Sequence, residues 1–505
     1  MPAPAARTSG FLAVFRCDAS ARIGAGHVMR CLTLADALSE TGWTCAFACG
    51  APTTDTVPAL LESPHERLLL DGEAETEAAA LAARWPDGCD LLVADHYQRD
   101  TVFEAACRPW ARRIMAIDDI ADRPHHCDVL LDQNLGRRAS DYDGLVADHC
   151  RRLTGARFAL LRPQFAAARR HARRRREIGD APRRILVSLG ATDPDNVTTS
   201  VLHGIGQAGI RAEIDVVLGR SAPHLHAVRA LAMDMPGRVT VHAGVDDMAT
   251  LMSEADLAVG AAGSSSWERC CLGLPTVLMV IADNQRPGAA ALAGAGAVVP
   301  VESTDAVGAA VKDLWRSADR RHAMATAAGG ICDGYGTARI LIGLLIPEPA
   351  RDGTPVTLRL ATEADSSLMF GWQCDDRIRR FSRDSEPPTW DRHQRWLKRF
   401  LDETDRVLAL IEHAGETAGI LRFDPVTEGS GFEISILVAP ERHGRGIGRA
   451  ALALARKLFL REDLYAEVLP GNAVSHALFQ DAGYRPVREG LYVNVSDTGK
   501  VRHVR

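Results

Sequence analysis

A glycine-flanked histidine near the N-terminus constrains the fold of this chain more than any other feature. The preceding residues 11–15 form a short apolar run with β-branched and aromatic side chains, which is typical of a buried strand. Gly24, Gly26 and His27 follow, and apolar residues then recur at helical spacing: Val28, Cys31, Leu32, Ala35 and Leu38. The sequence therefore predicts a strand, a glycine turn and a helix that begins close to His27.

The turn before His27 has the composition of an anion-binding site. Gly24 and Gly26 let a ligand approach the backbone closely, and the first amides of a helix have no intrahelical acceptor. The positive end of a helix disfavours a protonated imidazole, so we expect His27 to be neutral near pH 7 and able to accept a proton. The alternative is a tight turn in which His27 only caps the helix, and this stretch by itself favours neither.

Residues 16–30 read RCDASARIGAGHVMR. This stretch resembles the N-terminal signature R-x-D-x-S-x-x-I-G-x-G-H-x-x-R of the nucleotide-sugar hydrolases of pseudaminic acid biosynthesis. Later stretches are similar to the same family in order and spacing, at residues 124–128, 132–134, 141–146 and 158–162. The resemblance implies release of UDP from a UDP-2,4-diacetamido-2,4,6-trideoxyhexose with inversion, and activation of water by His27. It also implies substrate contacts from Arg16, Asp18, Gly26 and Tyr97.

Composition excludes several other classes of protein. The chain has 505 residues and a net charge of −6, which gives no reason to expect nucleic acid as a partner. No apolar run is long enough to span a membrane and no signal peptide is recognisable, so we expect a cytoplasmic protein. The twelve cysteines form no C-x-x-C pair, which predicts buried thiols rather than disulfides or a metal site.

Strands and helices alternate up to about residue 165, which predicts a parallel sheet covered on both faces. The strands are expected at residues 11–15, 44–48, 67–70, 90–95, 113–118 and 128–132. Two of them end in polar residues, Asp95-His96-Tyr97 and Asp118-Asp119, and we expect these side chains at the edge of the sheet where ligands bind. Helix capping is the alternative role for the aspartates.

An arginine-rich stretch at residues 168–177 separates this region from a second α/β pattern. It lacks interleaved aromatic residues, so a solvated connecting helix is favoured over a nucleic-acid site. Strands of the second pattern are predicted at residues 184–189, 213–218, 238–242, 256–259 and 276–280. Two such domains resemble the GT-B architecture of nucleotide-sugar enzymes.

A second anion-binding turn is predicted at residues 260–268, GAAGSSSWE. Gly263, Ser264 and Ser265 end a strand and begin a helix, an arrangement that can hold phosphate, and Glu268 could accept hydrogen bonds from a ribose. The alternative is a serine-capped helix with Glu268 on its first turn. The hydrolase resemblance implies that Asn284 and Gln285 also meet the diphosphate or the sugar.

Residues 347–355 are rich in proline and glycine without periodicity, which predicts a linker. Beyond them, strands at residues 357–361, 406–413, 417–424 and 432–438 lead to the loop 442–448, RHGRGIG, and then to a helix. Together with a strand at 464–468 and Asn472, this order resembles the GNAT acetyltransferase fold, which binds acetyl-CoA between two splayed strands. The resemblance implies cofactor contacts from Val438, His443, Gly444, Arg445, Gly446, Gly448 and Asn472.

Acetyl transfer to an amine needs a base, and Glu433 on the strand before the loop is our candidate. The chain departs from the GNAT pattern at two positions. His443 stands where glutamine or arginine is usual, and Phe479 stands where many members carry the tyrosine that protonates the thiolate. Either another hydroxyl serves that step, with Ser475, Tyr484 and Tyr492 as candidates, or the thiolate leaves with help only from backbone amides.

The predicted fold class is α/β, with two Rossmann-like domains in a GT-B-like arrangement followed by an α+β GNAT domain. The domains are expected at residues 1–167, 178–346 and 355–505. We expect a bifunctional enzyme of pseudaminic acid-type biosynthesis, with a UDP-sugar and acetyl-CoA as substrates and no metal. A GT-B glycosyltransferase with a regulatory acetyl-CoA-binding domain is the alternative, and a non-catalytic sensor is a third hypothesis; the oligomeric state is not predicted.

Overall fold

The computed structural model describes residues 10–20, 23–70, 74–178, 181–235, 237–426 and 430–496. Ala21 and Arg22 of the N-terminal signature lie outside the described residues, as does the start of the chain. The fold divides into two compact units between Thr337 and Ala338. The first unit contains two parallel sheets, and the second contains one mixed sheet.

The first domain has seven parallel strands in the order β3-β2-β1-β4-β5-β6-β7. Its strands are β1 (Phe11–Cys17), β2 (Trp43–Gly50), β3 (Glu66–Leu70), β4 (Leu91–Asp95), β5 (Ile114–Ile117), β6 (Val129–Asp132) and β7 (Arg151–Thr154). Its helices are α1 (Gly26–Glu40), α2 (Pro52–Thr56), α3 (Pro58–Glu62), α4 (Ala74–Arg84), α5 (Thr101–Cys107) and α6 (Pro163–Ile178). Every residue of β4 is buried, because a central parallel strand is covered on both faces.

The second domain has six parallel strands in the order β10-β9-β8-β11-β12-β13. These are β8 (Arg184–Ser188), β9 (Glu213–Leu218), β10 (Arg238–Ala243), β11 (Leu257–Ala261), β12 (Thr276–Met279) and β13 (Val298–Val301). The helices are α7 (Val197–Gln207), α8 (Leu225–Asp234), α9 (Met248–Glu254), α10 (Ser265–Cys271), α11 (Arg286–Gly294), α12 (Thr304–Arg316) and α13 (Ala318–Gly329), and α14 (Gly336–Leu341) contains the boundary between the two units. The prediction of two Rossmann-like domains is confirmed by these two parallel sheets.

Helix α6 carries the arginine-rich stretch, and the prediction of a solvated linker is wrong in one respect. Ala172 is fully buried in a core shared with the second sheet. Arg169 donates to the carbonyls of Gly329 and Cys332, each at 2.7 Å, and Arg176 donates to those of Leu272 and Met252, each at 2.8 Å. These arginines satisfy carbonyls at helix ends of the second domain, a use that composition does not reveal.

The second unit is an eight-stranded sheet in the order β14-β15-β16-β17-β18-β19-β21-β20. Its strands are β14 (Glu348–Pro349), β15 (Pro355–Leu360), β16 (Val407–His413), β17 (Glu416–Pro425), β18 (Phe432–Val438), β19 (Leu464–Glu467), β20 (Arg485–Arg488) and β21 (Leu491–Asn494). Its helices are α15 (Ser366–Cys374), α16 (Asp376–Arg379), α17 (Trp390–Asp402), α18 (Ile447–Leu458) and α19 (Ala473–Asp481). The prediction of an α+β GNAT sheet is confirmed.

The predicted linker at residues 347–355 is ordered instead. β14 pairs antiparallel with β15, and the Arg351 amide donates to the carbonyl of Arg445 at 2.8 Å. Gly353 lies in the turn of this hairpin, and Pro349 and Pro355 pair across it, so the density of proline and glycine was misleading. The domain boundaries taken from the sequence stay predictions, although the first unit ends before residue 346.

Strands β7 and β13 were missed by the sequence analysis. β7 reads RRLT and only Leu153 of it is buried, so it shows no apolar run. β13 contains Pro300, which normally argues against a strand but is tolerated here because β13 is at the edge of its sheet.

Candidate functional site

The first candidate site lies at the carboxyl edge of the first sheet, between the neighbours β1 and β4. The chain leaves β1 toward β2 and leaves β4 toward β5, so the sheet order reverses between them. Ligands of open α/β sheets bind at such a reversal. The loop after β1 carries Asp18 and leads to α1, and the loop after β4 carries His96 and Tyr97. The second sheet reverses in the same way between β8 and β11.

His27 is the second residue of α1 and is largely buried. Its Nδ1 lies 2.5 Å from Oδ1 of Asp95, the last residue of β4. Burial acts to raise the pKa of Asp95, but the charge of Arg30 and the contact with His27 hold that pKa well below its usual range. Because Asp95 is therefore an acceptor, Nδ1 carries the hydrogen and the ring presents the Nε2 lone pair as its basic position.

Arg30 extends this contact into a cluster of charges. Its Nε and Nη2 each lie 2.6 Å from an oxygen of Asp95, and its Nη1 and Nη2 each lie 2.9 Å from an oxygen of Asp119. Asp119 follows β5, and its side chain is 19% exposed. Both carboxylates are therefore bound by one guanidinium with bidentate geometry on each side.

Tyr97 connects the two domains of the first unit. Its hydroxyl lies 3.4 Å from Asp119 Oδ2 and accepts a hydrogen bond from Asn284 Nδ2 at 3.0 Å. Its ring meets the His27 ring edge-on, with centroids 4.8 Å apart. Burial, together with the charge of Asp119, raises the pKa of Tyr97 to about 12, so the phenol stays protonated near neutral pH. Tyr97 is thus a donor beside the histidine rather than a second base.

Asp18 is partly exposed at the site, whereas Arg16 is buried behind it. Asp18 accepts from the Gly50 amide and from Arg16, both at 2.7 Å, and its other oxygen lies 3.1 Å from His96 Nε2. Arg16 is 2% exposed and binds both oxygens of Glu77, at 2.8 and 2.9 Å. The structure therefore does not place Arg16 in direct contact with a substrate. Arg16 holds the Asp18 side chain in position instead.

The loop after β11 meets the start of α1 across the cleft. A Cβ atom on Gly26 would lie 3.2 Å from Ser264 Oγ, so only glycine fits without displacement. Arg269 donates to the hydroxyls of Ser265 and Ser266 at 3.1 and 3.0 Å, and to the carbonyl of Ala261 at 2.6 Å. This guanidinium, 2% exposed, lies directly beneath the predicted phosphate loop and was not identified from the sequence.

Glu268, Gln285 and Gly263 complete the second side of the cleft. Burial raises the pKa of Glu268, and Arg162, whose Nη2 lies 3.8 Å away, opposes that rise. Gln285 accepts from the Ile281 amide at 3.1 Å, and its Nε2 would lie 3.9 Å from a Cβ atom on Gly263. The contacts between the two domains thus join Tyr97 to Asn284 and bring Gly26 beside Ser264, while the substrate roles of these residues stay predictions.

A second candidate site is a groove of about 1580 Å³ in the GNAT sheet. β18 and β19 pair in parallel only at Phe432 with Leu464 and at Glu433 with Tyr465, and residues 434–438 then leave β19. This is the splay that the GNAT resemblance implies. The groove is lined by Val438, His443, Gly444, Gly446, Gly448 and Asn472.

Glu433 stands where the two strands begin to separate. Arg383 Nη2 lies 2.5 Å from Glu433 Oε1 and also contacts Glu467, the last residue of β19. Glu467 lines the groove as well and was not identified from the sequence. No clear signal for it was present in the sequence, because side chains of a strand alternate between the two faces of the sheet.

The loop before α18 takes the conformation that a backbone cradle needs. Gly444 and Gly446 have φ angles of 77° and 82°, which glycine adopts without strain. A Cβ atom on Gly448 would lie 3.1 Å from the Leu478 side chain, so this glycine permits close packing of α18 on α19. His443 donates from Nε2 to the Val438 carbonyl at 2.9 Å, and Arg445 accepts from Arg351.

Asn472 caps α19, because its Oδ1 accepts from the Ser475 amide at 3.1 Å. Phe479 is buried, and its ring contacts Tyr484 at 5.0 Å between centroids. Tyr484 does not line the groove, and burial raises its pKa above the usual range. Tyr492 also lies outside the groove lining, with its hydroxyl 2.7 Å from His476 Nδ1. Of the three hydroxyl candidates, only Ser475 lines the groove.

The described residues contain neither a candidate metal cluster nor a candidate membrane-spanning helix. No group of three or more histidine, cysteine, aspartate or glutamate side chains among them could hold a metal ion. No helix within the described ranges is both long enough and apolar enough to cross a membrane.

Comparisons with known proteins match the two units separately. Residues 356–485 match the family model described as "Acetyltransferase (GNAT) domain". The chain is 27% identical over 284 residues to the UDP-2,4-diacetamido-2,4,6-trideoxy-beta-L-altropyranose hydrolase of Campylobacter jejuni; the match covers 56% of this chain and 96% of that protein. It is 25% identical over 281 residues to the spore coat polysaccharide biosynthesis protein SpsG of Bacillus subtilis, covering 55% of this chain and 79% of that one.

Among solved structures, MurG of Acinetobacter baumannii superimposes with a TM-score of 0.49 at 15% identity. That superposition covers 67% of this chain and 99% of MurG.

Proposed function

We propose that this chain, which joins a homologue of the Campylobacter hydrolase to a C-terminal GNAT domain, carries out two successive reactions on one nucleotide sugar. The GNAT domain acetylates the 4-amino group of a UDP-4-amino-sugar with acetyl-CoA. The hydrolase then removes UDP from the resulting UDP-2,4-diacetamido-2,4,6-trideoxyhexose. This assigns the chain to pseudaminic acid-type biosynthesis.

The observation that carries the hydrolase assignment is the His27–Asp95 pair at the centre of the cleft. Asp95 holds Nδ1 as a donor at 2.5 Å, which leaves Nε2 to take a proton from water. The water oxygen attacks the anomeric carbon, the bond from that carbon to the phosphate oxygen breaks, and UDP leaves with the bonding electrons. UDP is a good leaving group and needs no proton, so a single base suffices.

The second domain would hold the nucleotide. The loop at residues 263–265 offers backbone amides and hydroxyls to the diphosphate, with the Arg269 guanidinium beneath it to offset negative charge. Asn284, which binds Tyr97 across the cleft, would turn its amide to the diphosphate or sugar when substrate enters.

Glu268→Ala and Asn284→Ala are each expected to weaken UDP binding about tenfold, because contacts to the nucleotide are made before as well as during the reaction. Calorimetric titration with UDP measures this. Asp283→Ala is the matched control, since Asp283 adjoins Asn284 but its side chain is 95% exposed. Unchanged affinity in both variants would place the nucleotide elsewhere.

In the GNAT groove, acetyl-CoA supplies the acetyl thioester, and the splayed strands and glycine loop fit its extended pantetheine and pyrophosphate. Glu433, together with Glu467, would take the proton of the attacking amine. Ser475 would donate a hydrogen bond to the departing thiolate, which then takes its proton from solvent, in place of the tyrosine that Phe479 replaces.

Glu433→Gln is expected to lower kcat/KM for acetyl transfer about 10- to 100-fold at neutral pH. This loss is smaller than for an active site with a single base, because Glu467 remains beside the substituted residue. Acetyl-CoA affinity should not change. Release of CoA with a UDP-4-amino-sugar as acceptor gives the rate. Glu412→Gln serves as the control, since Glu412 is paired with Arg359 on neighbouring strands and lies outside the groove lining. Equal rates in the two variants would remove Glu433 from the mechanism.

A further inference from the structure

The charged cluster around His27 has a net negative charge before the reaction and a net charge of zero once His27 is protonated. Asp95 and Asp119 carry two negative charges, Arg30 carries one positive charge, and neutral His27 adds none. When His27 takes a proton from water, the cluster becomes neutral. A buried cluster is most stable when its charges balance, so this arrangement favours the protonated imidazole that the reaction forms.

We infer that Asp119 is a positioning residue of the hydrolase, which neutralises Arg30 so that Asp95 can stabilise the imidazolium of His27. This inference rests on the proposed hydrolytic function of the cleft. Asp119 touches Arg30 through both oxygens at 2.9 Å, and the structure gives it no contact with His27. It acts through Arg30 and Asp95.

Other charged groups near the cluster are balanced by their own partners. Arg137 pairs with Asp132 at 2.5 Å, and Arg123 pairs with Asp118 at 2.9 Å. Cys31 Sγ lies 3.6 Å from Asp95 Oδ2. Burial is the main cause that raises the pKa of the Cys31 thiol, so this thiol remains neutral. Tyr97 remains a phenol for the reason given above. Asp119 is therefore the one carboxylate among these described groups that both contacts Arg30 and is not needed by His27 directly.

Removing the charge of Asp119 weakens the stabilisation that Asp95 gives to a protonated His27, because Asp95 must then balance Arg30 alone. In Asp119→Asn, Arg30 keeps a single anionic partner, and the cluster would carry an extra positive charge once His27 is protonated. Protonation of His27 then requires a lower pH. The acid limb of the pH profile of kcat/KM, where His27 becomes protonated and inactive, is expected to move down by about one pH unit. The plateau should fall about three- to tenfold, because the weaker base removes the proton of water less effectively.

One neighbouring carboxylate has a raised pKa of its own. Burial raises the pKa of Asp132 to about 6, and the charge of Asp119 contributes to that rise. A shift of the acid limb could therefore arise from Asp132 instead of His27. The ring signal of His27 separates the two, because it reports its own protonation whatever happens to turnover.

The experiment is an NMR pH titration of the full chain labelled at its histidine rings, with the His27 signal assigned by its loss in His27→Asn. The midpoint for His27 is expected to fall by about one unit in Asp119→Asn, and to stay within about 0.3 units of wild type in Asp119→Glu, which keeps the charge. Asp122→Asn is the matched control, since Asp122 pairs with Arg123 on the same loop, outside this cluster. Asp119→Ser replaces Asp119→Asn if the latter does not fold.

An unchanged His27 midpoint in the charge-removing variant, or an equal shift in Asp122→Asn, would overturn the inference. A uniform loss of activity without any shift would give Asp119 a merely structural role and overturn it as well. Failure of the proposed function looks different. In that case wild-type chain releases no UDP, while the His27 titration and its dependence on Asp119 can still be measured.

Discussion

Replacing His27 by asparagine is expected to lower UDP release about two to four orders of magnitude, the usual contribution of a positioned general base. The reason is geometric. Asp95 fixes Nδ1 as the protonated nitrogen, so Nε2 is the basic atom of the ring, and asparagine has no basic atom to replace it. UDP affinity should change little, because the base acts on water rather than on the nucleotide.

His126→Asn is the matched control for this variant, since His126 is an exposed histidine of the same domain outside the cleft. Steady-state release of UDP and calorimetric UDP binding are measured on both proteins. Near-normal turnover in a folded His27→Asn protein would assign the base to another residue, while a parallel loss of UDP binding would give His27 a role in binding instead.

Asp95→Asn is expected to lower kcat for UDP release about two to three orders of magnitude with a smaller effect on KM. Arg30 donates to both oxygens of Asp95, and an asparagine offers only one acceptor. The amide nitrogen that replaces the other oxygen would donate to His27 Nδ1, which moves the ring hydrogen to Nε2 and removes the base.

The pH dependence of Asp95→Asn provides a second readout. Loss of this carboxylate removes the charge that stabilises the imidazolium, so the acid limb should move to lower pH, in the same direction as for Asp119→Asn. Glu104→Gln changes a buried carboxylate of the same domain that binds His125 rather than His27, and serves as the control. Equal activity of Asp95→Asn and wild type would mean that His27 needs no oriented tautomer.

Much of the fold could be predicted because its signals are local. Apolar runs such as those of β1 and β4 and the helical spacing after His27 define buried strands and helices without knowledge of contacts. The reversal between β1 and β4, which locates the cleft, depends on strand order. That order follows from packing, so the sequence indicated the polar loops but not which of them meet.

The charge cluster shows where prediction from sequence stops. Asp95, Arg30 and Asp119 lie far apart in the chain, and the sequence predicts both aspartates at the ligand edge of the sheet without indicating a shared partner. Only the fold brings both carboxylates to one guanidinium. The arginines of α6 were misjudged for the same reason, since their acceptors are carbonyls of distant helix ends.

Two glycines show the difference between what a motif predicts and what only the fold reveals. Gly26 was predicted to let a ligand approach the backbone, which stays a prediction; in the structure a Cβ atom at this position would lie 3.2 Å from Ser264 Oγ. Gly446, by contrast, would direct a side chain against the Arg351 backbone, within 2.9 Å, and not into the groove. A bulky residue there would disturb the β14–β15 hairpin as well as the cofactor loop. Such a variant therefore cannot test the role of the cofactor loop alone.

The most direct test of two successive reactions on one chain uses no sugar acceptor. The full chain is incubated with acetyl-CoA and a UDP-2-acetamido-4-amino-2,4,6-trideoxyhexose, and the products are followed over time by mass spectrometry. We expect CoA and the N-acetylated UDP-sugar first, followed by UDP and free 2,4-diacetamido sugar in equal amounts. UDP release that requires an added sugar acceptor, or the absence of CoA release across a panel of UDP-4-amino-sugars, would contradict the account.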